Sequence, residues 1–415
     1  MLTINQERLL ERFLRYVAVD TTAGEAPIGD GPSSPGQLVL GKLLRDELLA
    51  LGLTDAEQDR HGIVTATIPA TVDGAVPVLC FNSHVDTSPE TTGANVKPNV
   101  IRSYAGGDIV LSGDTSKVIR TTSNPELNDL LGKTLITTDG TTLLGGDDKA
   151  GVAIIMEAAA ALLENPSVPH GKIRVMFTCD EEIGHGVDHV DLEKLGADAA
   201  YTVDGMAAGR LDVETFSADG AVVTVKGVNI HPMIAKDRMI NAIRAAGEFC
   251  ARLPKETLAP ERTDGRDGFI HPVRMEGGVA EVTIHLILRS FDTPALDDYR
   301  KKLESVAKEA MAAVPGSTIT VATHAQYRNL ADGLAKAPRV VKNVHEAYRR
   351  LNRPSTETIV RGGTDGSRLT ELGLPTPNLS SGQHNPHSPL EWACLDEMVE
   401  TCQVIGELVQ VWAER

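Results

Sequence analysis

Glu181 and Glu182 stand side by side in Cys179-Asp180-Glu181-Glu182-Ile183-Gly184, directly after the apolar run 172–178. Two like charges at a strand end repel unless a cation or a proton is shared between them, so the pair asks for a metal. Matching donors occur elsewhere in the chain. His84 and Asp86 follow a strand expected over 76–81, and the two-residue period of a strand points positions i and i+2 the same way, so both can face one ion. Asp147 and Asp148 lie in Gly145-Gly146-Asp147-Asp148-Lys149-Ala150-Gly151 at the start of a helix expected over 150–163. Asp204 ends a strand expected over 199–203, and His387 lies in the segment 382–389. Singly, each has a plain structural explanation: an exposed strand end for His84 and Asp86, an N-cap in a favourable helix dipole for Asp147.

Together they say more. His84/Asp86, Asp147, Glu181/Glu182 and Asp204 all fall at the C-terminal ends of strands or at the helix start that follows one. In an open α/β sheet those ends form a single crevice where ligands bind. Two divalent ions about 3.5 to 4 Å apart need one bridging carboxylate and further nitrogen and oxygen donors on each side. Two His, three carboxylates and a spare Glu satisfy that requirement. Zinc accepts such a mixed shell, with manganese or cobalt as substitutes on ligand type alone.

The elements that position these residues alternate strands with helices. Amphipathic helices are expected over 2–19, with a capping box from Thr3 to Gln6, and over 38–51 behind the start signal Ser34-Pro35. Strands are expected over 63–68, 76–81, 172–178 and 199–203, which predicts an α/β fold with a central, mostly parallel sheet flanked by helices. The segment 87–146 is rich in Gly and Pro and reads as an elaborated loop or hairpin region. From about residue 213 a β-α-β-α pattern begins, with helices over 233–253 and 295–313 and an alternating strand through Val282, Ile284, Leu286 and Leu288. A helix over 339–351, a strand over 358–361 and a helix over 395–412 then restore the larger pattern. The domain expectation is 1–212 and 326–415 for a large domain, with 213–325 inserted as a small one.

Composition fits a two-domain chain of 415 residues. No apolar run approaches the roughly 18 residues a bilayer span requires. The first ten residues include Glu7 and Arg8 and lack a secretory apolar core, so the mature chain is expected to begin near there. Five scattered cysteines without Cys-x-x-Cys spacing point to a reducing cytoplasm rather than to disulfides. A formal charge of -17 disfavours nucleic acid and anionic membranes as partners. The Gly145-Gly146 pair matches neither a P-loop nor a dinucleotide fingerprint.

The chain resembles the aminoacylase and carboxypeptidase-G-like superfamily of co-catalytic metallopeptidases and, within it, the peptidase T family of tripeptide aminopeptidases. The resemblance spans essentially the whole length and rests on Ser83-His84-Val85-Asp86-Thr87, Tyr104-Ala105-Gly106-Gly107-Asp108-Ile109, the run 135–151 (LITTDGTTLLGGDDKAG), Asp180-Glu181-Glu182-Ile183-Gly184, Thr202-Val203-Asp204-Gly205 and the run 361–369 (RGGTDGSRL). It implies two zinc ions, with Asp147 bridging, His84 and Asp204 on one ion, and Glu182 and His387 on the other. It also makes Glu181 the general base and turns Asp86 from a ligand into a residue that orients the His84 ring. A cis peptide between Asp147 and Asp148 is a further implication.

The resemblance further implies that the inserted domain is a lid of β-α-β-β-α-β type through which two copies pair. From it, His231 reaches the substrate's carbonyl oxygen, and Arg289, Arg361 and its neighbours to Asp365 contact substrate. An aminopeptidase must also hold a free α-ammonium, for which Asp108 in the turn-rich region is the candidate. The implied reaction is hydrolysis of the first peptide bond of a short peptide by a water bridging the two metals. Related carboxypeptidases, dipeptidases and N-acyl amino acid hydrolases share such a centre and are the alternatives. The chain departs from the peptidase T pattern at Met233, Ile234 and Asp237 after His231, at Ser290 after Arg289, and at Gln383 and His384. None of these is a metal-ligand position.

Overall fold

The computed structural model describes residues 2–414 and divides into two compact units. The first runs through Val213, resumes over Asp332–Thr358 and again from Thr364; the second comprises Glu214–Ala331 and Ile359–Gly363. The second unit therefore extends to residue 331 and takes back a short piece, 359–363, that the sequence reading assigns to the large domain.

The first unit is built on a mixed sheet with the strand order Glu57–Gln58, Val64–Ile68, Ile173–Thr178, Leu79–His84, Ala199–Met206, Asn378–His384, Trp392–Cys394, Leu135–Thr137 and Asn99–Ile101. Its four central strands, from Ile173–Thr178 to Asn378–His384, run parallel, as expected. Both flanks are antiparallel. Side chains of the parallel strands divide between two apolar layers with period two: Leu79, Phe81, Val175, Phe177, Tyr201 and Val203 on one side, Cys80, Met176 and Ala200 on the other. Burial on both faces explains why these strands read as continuous apolar runs.

The helix Gly146–Glu164 fills the first layer, and its apolar residues run around its whole circumference because it is enclosed on all sides. The buried Glu157 on it is neutralised by Arg8 at 2.7 Å and Arg12 at 2.6 Å from the helix Gln6–Val17. That first helix is capped by Asn5, whose side chain accepts the Arg8 N–H, and not by Thr3. The second, Pro35–Ala50, starts behind Ser34 with Pro35 in its first turn, as read from the sequence. No helix of the described residues is long and apolar enough to cross a membrane.

The second unit has a four-stranded antiparallel sheet ordered Phe269–Gly277, Glu281–Ser290, Ser217–Lys226 and Thr318–Tyr327. With the helices Ala242–Arg252 and Ala295–Ala313 this is the β-α-β-β-α-β arrangement. Val223, Val225, Ile284, Leu286 and Leu288 form its core with Ala245, Phe249, Leu303, Val306 and Ala310 of the two helices. The helix expected over 233–253 forms only over Ala242–Arg252, where Asn241 caps it by accepting the Ile243 N–H. Upstream, Pro232–Ile234 is a single 3-10 turn and Asp237 sits at φ 60°, outside the helical region.

Candidate metal centre

His84 is the last residue of the strand Leu79–His84, and its neighbour strand Ala199–Met206 carries Asp204 two residues before its end. Asp204 therefore lies within a strand longer than the one expected, with its side chain still at the same sheet edge. Asp147 sits at the mouth of the helix Gly146–Glu164 with non-helical φ/ψ of -80° and 103°, and the Asp147–Asp148 peptide is cis. Glu181 and Glu182 form the 3-10 turn Glu181–Ile183 just beyond the strand Ile173–Thr178. His387, at φ 61°, belongs to the loop between Asn378–His384 and Trp392–Cys394.

These residues form two donor groups with Asp147 in common. His84, Asp147 and Asp204 make one and Asp147, Glu182 and His387 the other, each with ligand atoms within 4.8 Å of one another. Asp147 Oδ1 lies 3.0 Å from His84 Nε2, and its Oδ2 lies 3.4 Å from His387 Nε2. Glu182 Oε2 is 2.9 Å from His387 Nε2, and Asp204 Oδ1 is 3.8 Å from His84 Nε2. Glu181 approaches the same His84 nitrogen at 4.0 Å without belonging to either group.

Asp86 has a different place. Its fully buried carboxylate accepts the backbone N–H of Glu181 at 3.1 Å and of Glu182 at 3.0 Å, and stands 3.3 Å from His84 Nδ1. It holds the far side of the His84 ring and the turn that carries both glutamates.

The electrostatics are those of a carboxylate cluster out of water. Burial, then Asp147 and the other acids, pushes Asp204 well above the usual carboxylate range. Burial likewise raises Glu181 strongly, and burial with Asp147 pushes Glu182 up to about 7. Burial opposes charge on the two imidazoles, but Asp147 with Asp86 or Glu182 outweighs it, so His84 is raised and His387 reaches about 11. Protons thus occupy positions that a cation would otherwise satisfy. Glu182 Oε1 is buried without a hydrogen-bond partner among the described residues, as an oxygen awaiting a metal would be. Two imidazoles, three carboxylates and that unpaired oxygen fit a pair of divalent ions.

Other residues singled out in the sequence lie elsewhere. His231 is exposed in the second unit, where its Nδ1 accepts the Met233 N–H at 3.2 Å. In that unit Arg289 donates to Gln326 Oε1 at 2.9 Å and lies over the Tyr327 ring. Arg361 donates to the carbonyls of Gly265 and Asp267 at 2.9 and 2.8 Å and stacks on Phe216 and Phe269. Asp108, exposed in the first unit, accepts the Thr121 N–H at 2.9 Å and pairs with Arg120. Asp365 is buried and takes hydrogen bonds from Asn82 and Thr178 rather than facing outward.

Two supporting residues escape the sequence reading. Gln383 donates to the Asp204 carbonyl at 2.7 Å and to its Oδ1 at 3.2 Å, which gives that departure from the pattern a role in holding a ligand. Glu391, 1% exposed, accepts three backbone N–H groups of the loop leading into Asp147. Its only signal was a lone carboxylate within the otherwise apolar Leu390-Glu391-Trp392-Ala393-Cys394.

Comparison with known proteins places this geometry in a family. Residues 140–411 match the family described as peptidase family M20/M25/M40. Peptidase T of Geobacillus kaustophilus is 43% identical over 410 residues, 99% of each chain. Among solved structures, the aminopeptidase PepT of Bacillus cereus aligns over 99% of this chain and all of its own with a TM-score of 0.75 at 25% identity. A tripeptidase of Staphylococcus aureus aligns over the same shares with a TM-score of 0.77 at 26% identity. The chain belongs to peptidase family M20/M25/M40 and, within it, to the peptidase T group of metallopeptidases.

Proposed function

We propose that the protein is an aminopeptidase that removes the N-terminal residue from tripeptides and other short peptides at a centre of two divalent ions, zinc or, in its place, manganese or cobalt. The observation that carries this reading is Asp147, whose two oxygens face two different histidines, each accompanied by one further carboxylate. His84, Asp147 and Asp204 would hold one ion, and Asp147, Glu182 and His387 the other. When bound, such a pair supplies a water of lowered pKa and polarises the scissile carbonyl.

The chain's own groups do the rest. Glu181, beside His84 yet outside both donor groups, takes the proton of the attacking water and returns it to the leaving amine. Asp86 keeps His84 and the glutamate turn in place. In a neutral His231 ring the Met233 N–H occupies Nδ1, so the proton sits on Nε2, which is left as a donor. The names of the relatives, an aminopeptidase and a tripeptidase among them, support a short peptide as substrate. We also place the protein in the cytoplasm, where its five free cysteines stay reduced. Pairing of two copies is supported by the edge strand Phe269–Gly277, exposed from residue 272 onward.

The test is metal analysis of the purified protein with hydrolysis assays on tripeptides, dipeptides and N-acyl amino acids, with and without a chelator. Two ions per chain and chelator-sensitive cleavage of tripeptides are expected. Preference for N-acyl amino acids would move the assignment to a hydrolase of that kind.

A further inference from the structure

Among the described residues, Glu391 is a fully enclosed carboxylate that belongs to no donor group and accepts hydrogen bonds from backbone N–H groups alone. Its Oε2 accepts the N–H of Leu144 at 2.6 Å and of Gly145 at 2.8 Å, and its Oε1 accepts the N–H of Asp147 at 3.0 Å. Gly145 stands at φ 81°, a conformation that favours glycine, and a Cβ on Gly146 would lie 3.0 Å from Glu391 Oε1. The glycine pair therefore lets the loop close around this carboxylate. Glu391 also lies four residues beyond His387, in the segment that returns the chain to the strand Trp392–Cys394. One side chain thus ties the loop carrying His387 to the loop carrying Asp147, across 244 residues of sequence.

We infer that Glu391 is a positioning residue that sets Asp147 against His387 and so governs occupancy of the Asp147/Glu182/His387 position. The inference rests on the two-ion reading. The effect falls mainly on that position because Glu391 sits on both of its loops, the one leading into Asp147 and the one carrying His387, whereas at the other position it reaches only the shared Asp147, His84 being backed by Asp86 and Asp204 held by Gln383. A glutamine at 391 keeps the size but turns one oxygen acceptor into an amide donor facing backbone N–H groups, so at least one bond is lost. Outer partners of metal ligands typically contribute about 10- to 100-fold in metal affinity.

The experiment titrates zinc into the metal-stripped full chain, parent and Glu391→Gln, and follows the two equivalents separately by calorimetry alongside the melting temperature of the stripped protein. The expected result is a second equivalent weakened about tenfold or more, with the first within about threefold and the stripped Tm close to that of the parent. Turnover at saturating metal should recover. Gly146→Ala, which presses a methyl on Glu391 Oε1 while leaving the carboxylate present, should weaken the same equivalent and provides the test if the glutamine variant does not fold. Parental affinity for both equivalents in the variants, or equal weakening of both, overturns the inference. A parent that fails to take up two ions overturns the underlying two-ion reading instead.

Discussion

Asp86 accepts the backbone N–H of Glu182 at 3.0 Å, so a carboxylate that belongs to neither donor group fixes the position of one that does. Its other oxygen accepts the N–H of Glu181, and the same group backs the Nδ1 edge of His84. Three site residues from two neighbouring strand ends are therefore referenced to one buried anion. Such a hub would couple ring orientation in one donor group to the reach of Glu182 in the other.

Asp86→Asn tests that coupling. Asparagine offers one oxygen where two are used, and its amide turns a donor toward a donor. Leaving a buried N–H unpaired costs about 1–3 kcal/mol. Metal affinity should fall roughly 10- to 100-fold at both positions. Calorimetric metal titration with a thermal melt of the stripped protein checks both effects; a variant indistinguishable from the parent in metal uptake would remove Asp86 from its role.

Glu181→Gln tests whether Glu181 serves proton transfer rather than metal binding. Glu181 lies outside both donor groups, so the variant should bind two ions with near-parental affinity. Loss of a positioned acid–base group should lower kcat about 10²- to 10⁴-fold with little change in KM. Retained turnover would sink the assignment.

How far the sequence reaches is seen in particular residues. His84, Asp147, Glu182 and Asp204 stand out because metal-binding types recur at strand ends and helix starts, which local apolar patterns reveal, whereas His387, in a loop, carries no such signal and is singled out only by the family resemblance. Asp86 was misread as a ligand when taken by spacing alone, because the strand ends at His84 and its two-residue alternation does not extend to 86. Glu391 was illegible, since its partners are backbone groups more than two hundred residues away. The outer strand Phe269–Gly277 escaped notice because it contains Pro272 and its register shifts between Pro272 and Arg274, a break tolerated only at a sheet edge. The over-long helix at 233–253 came from apolar spacing that continues through a 3-10 turn and a left-handed Asp237.

Arg361, expected to contact substrate, has a structural part to weigh beside that role. Its guanidinium already serves Gly265, Asp267 and Thr263 and lies over two phenylalanine rings. Arg361→Ala should therefore destabilise the second unit by roughly 1.5–3 kcal/mol, the range for hydrogen bonds to a charged group. Arg361→Lys should not restore it, because an ammonium reproduces neither the planar fork nor the stacking. A thermal melt read beside tripeptide kinetics decides: an unchanged Tm with a KM raised roughly tenfold would return Arg361 to substrate binding.

Metal affinity should rise with pH, and its slope identifies the groups involved. In the ion-free site, burial and Asp147 put the Glu182 carboxyl at about 7. Burial opposes charge on His387, yet Asp147 and Glu182 hold its proton up to about 11. Ligation requires Glu182 ionised and His387 neutral, so binding expels whatever protons these groups carry. Below pH 7 both are protonated and about two protons leave with each ion entering the Asp147/Glu182/His387 position; between pH 7 and 11 only the His387 proton remains, and about one leaves. The sign follows directly: a process that releases protons is favoured as pH rises. The logarithm of the affinity for that equivalent should climb with a slope near 2 from about pH 6 to 7 and near 1 above it. Calorimetry in buffers of different ionisation enthalpy counts the released protons independently. An affinity flat across pH 6–8 would mean that neither Glu182 nor His387 carries a proton to give up on binding, so that both are already deprotonated in the ion-free site.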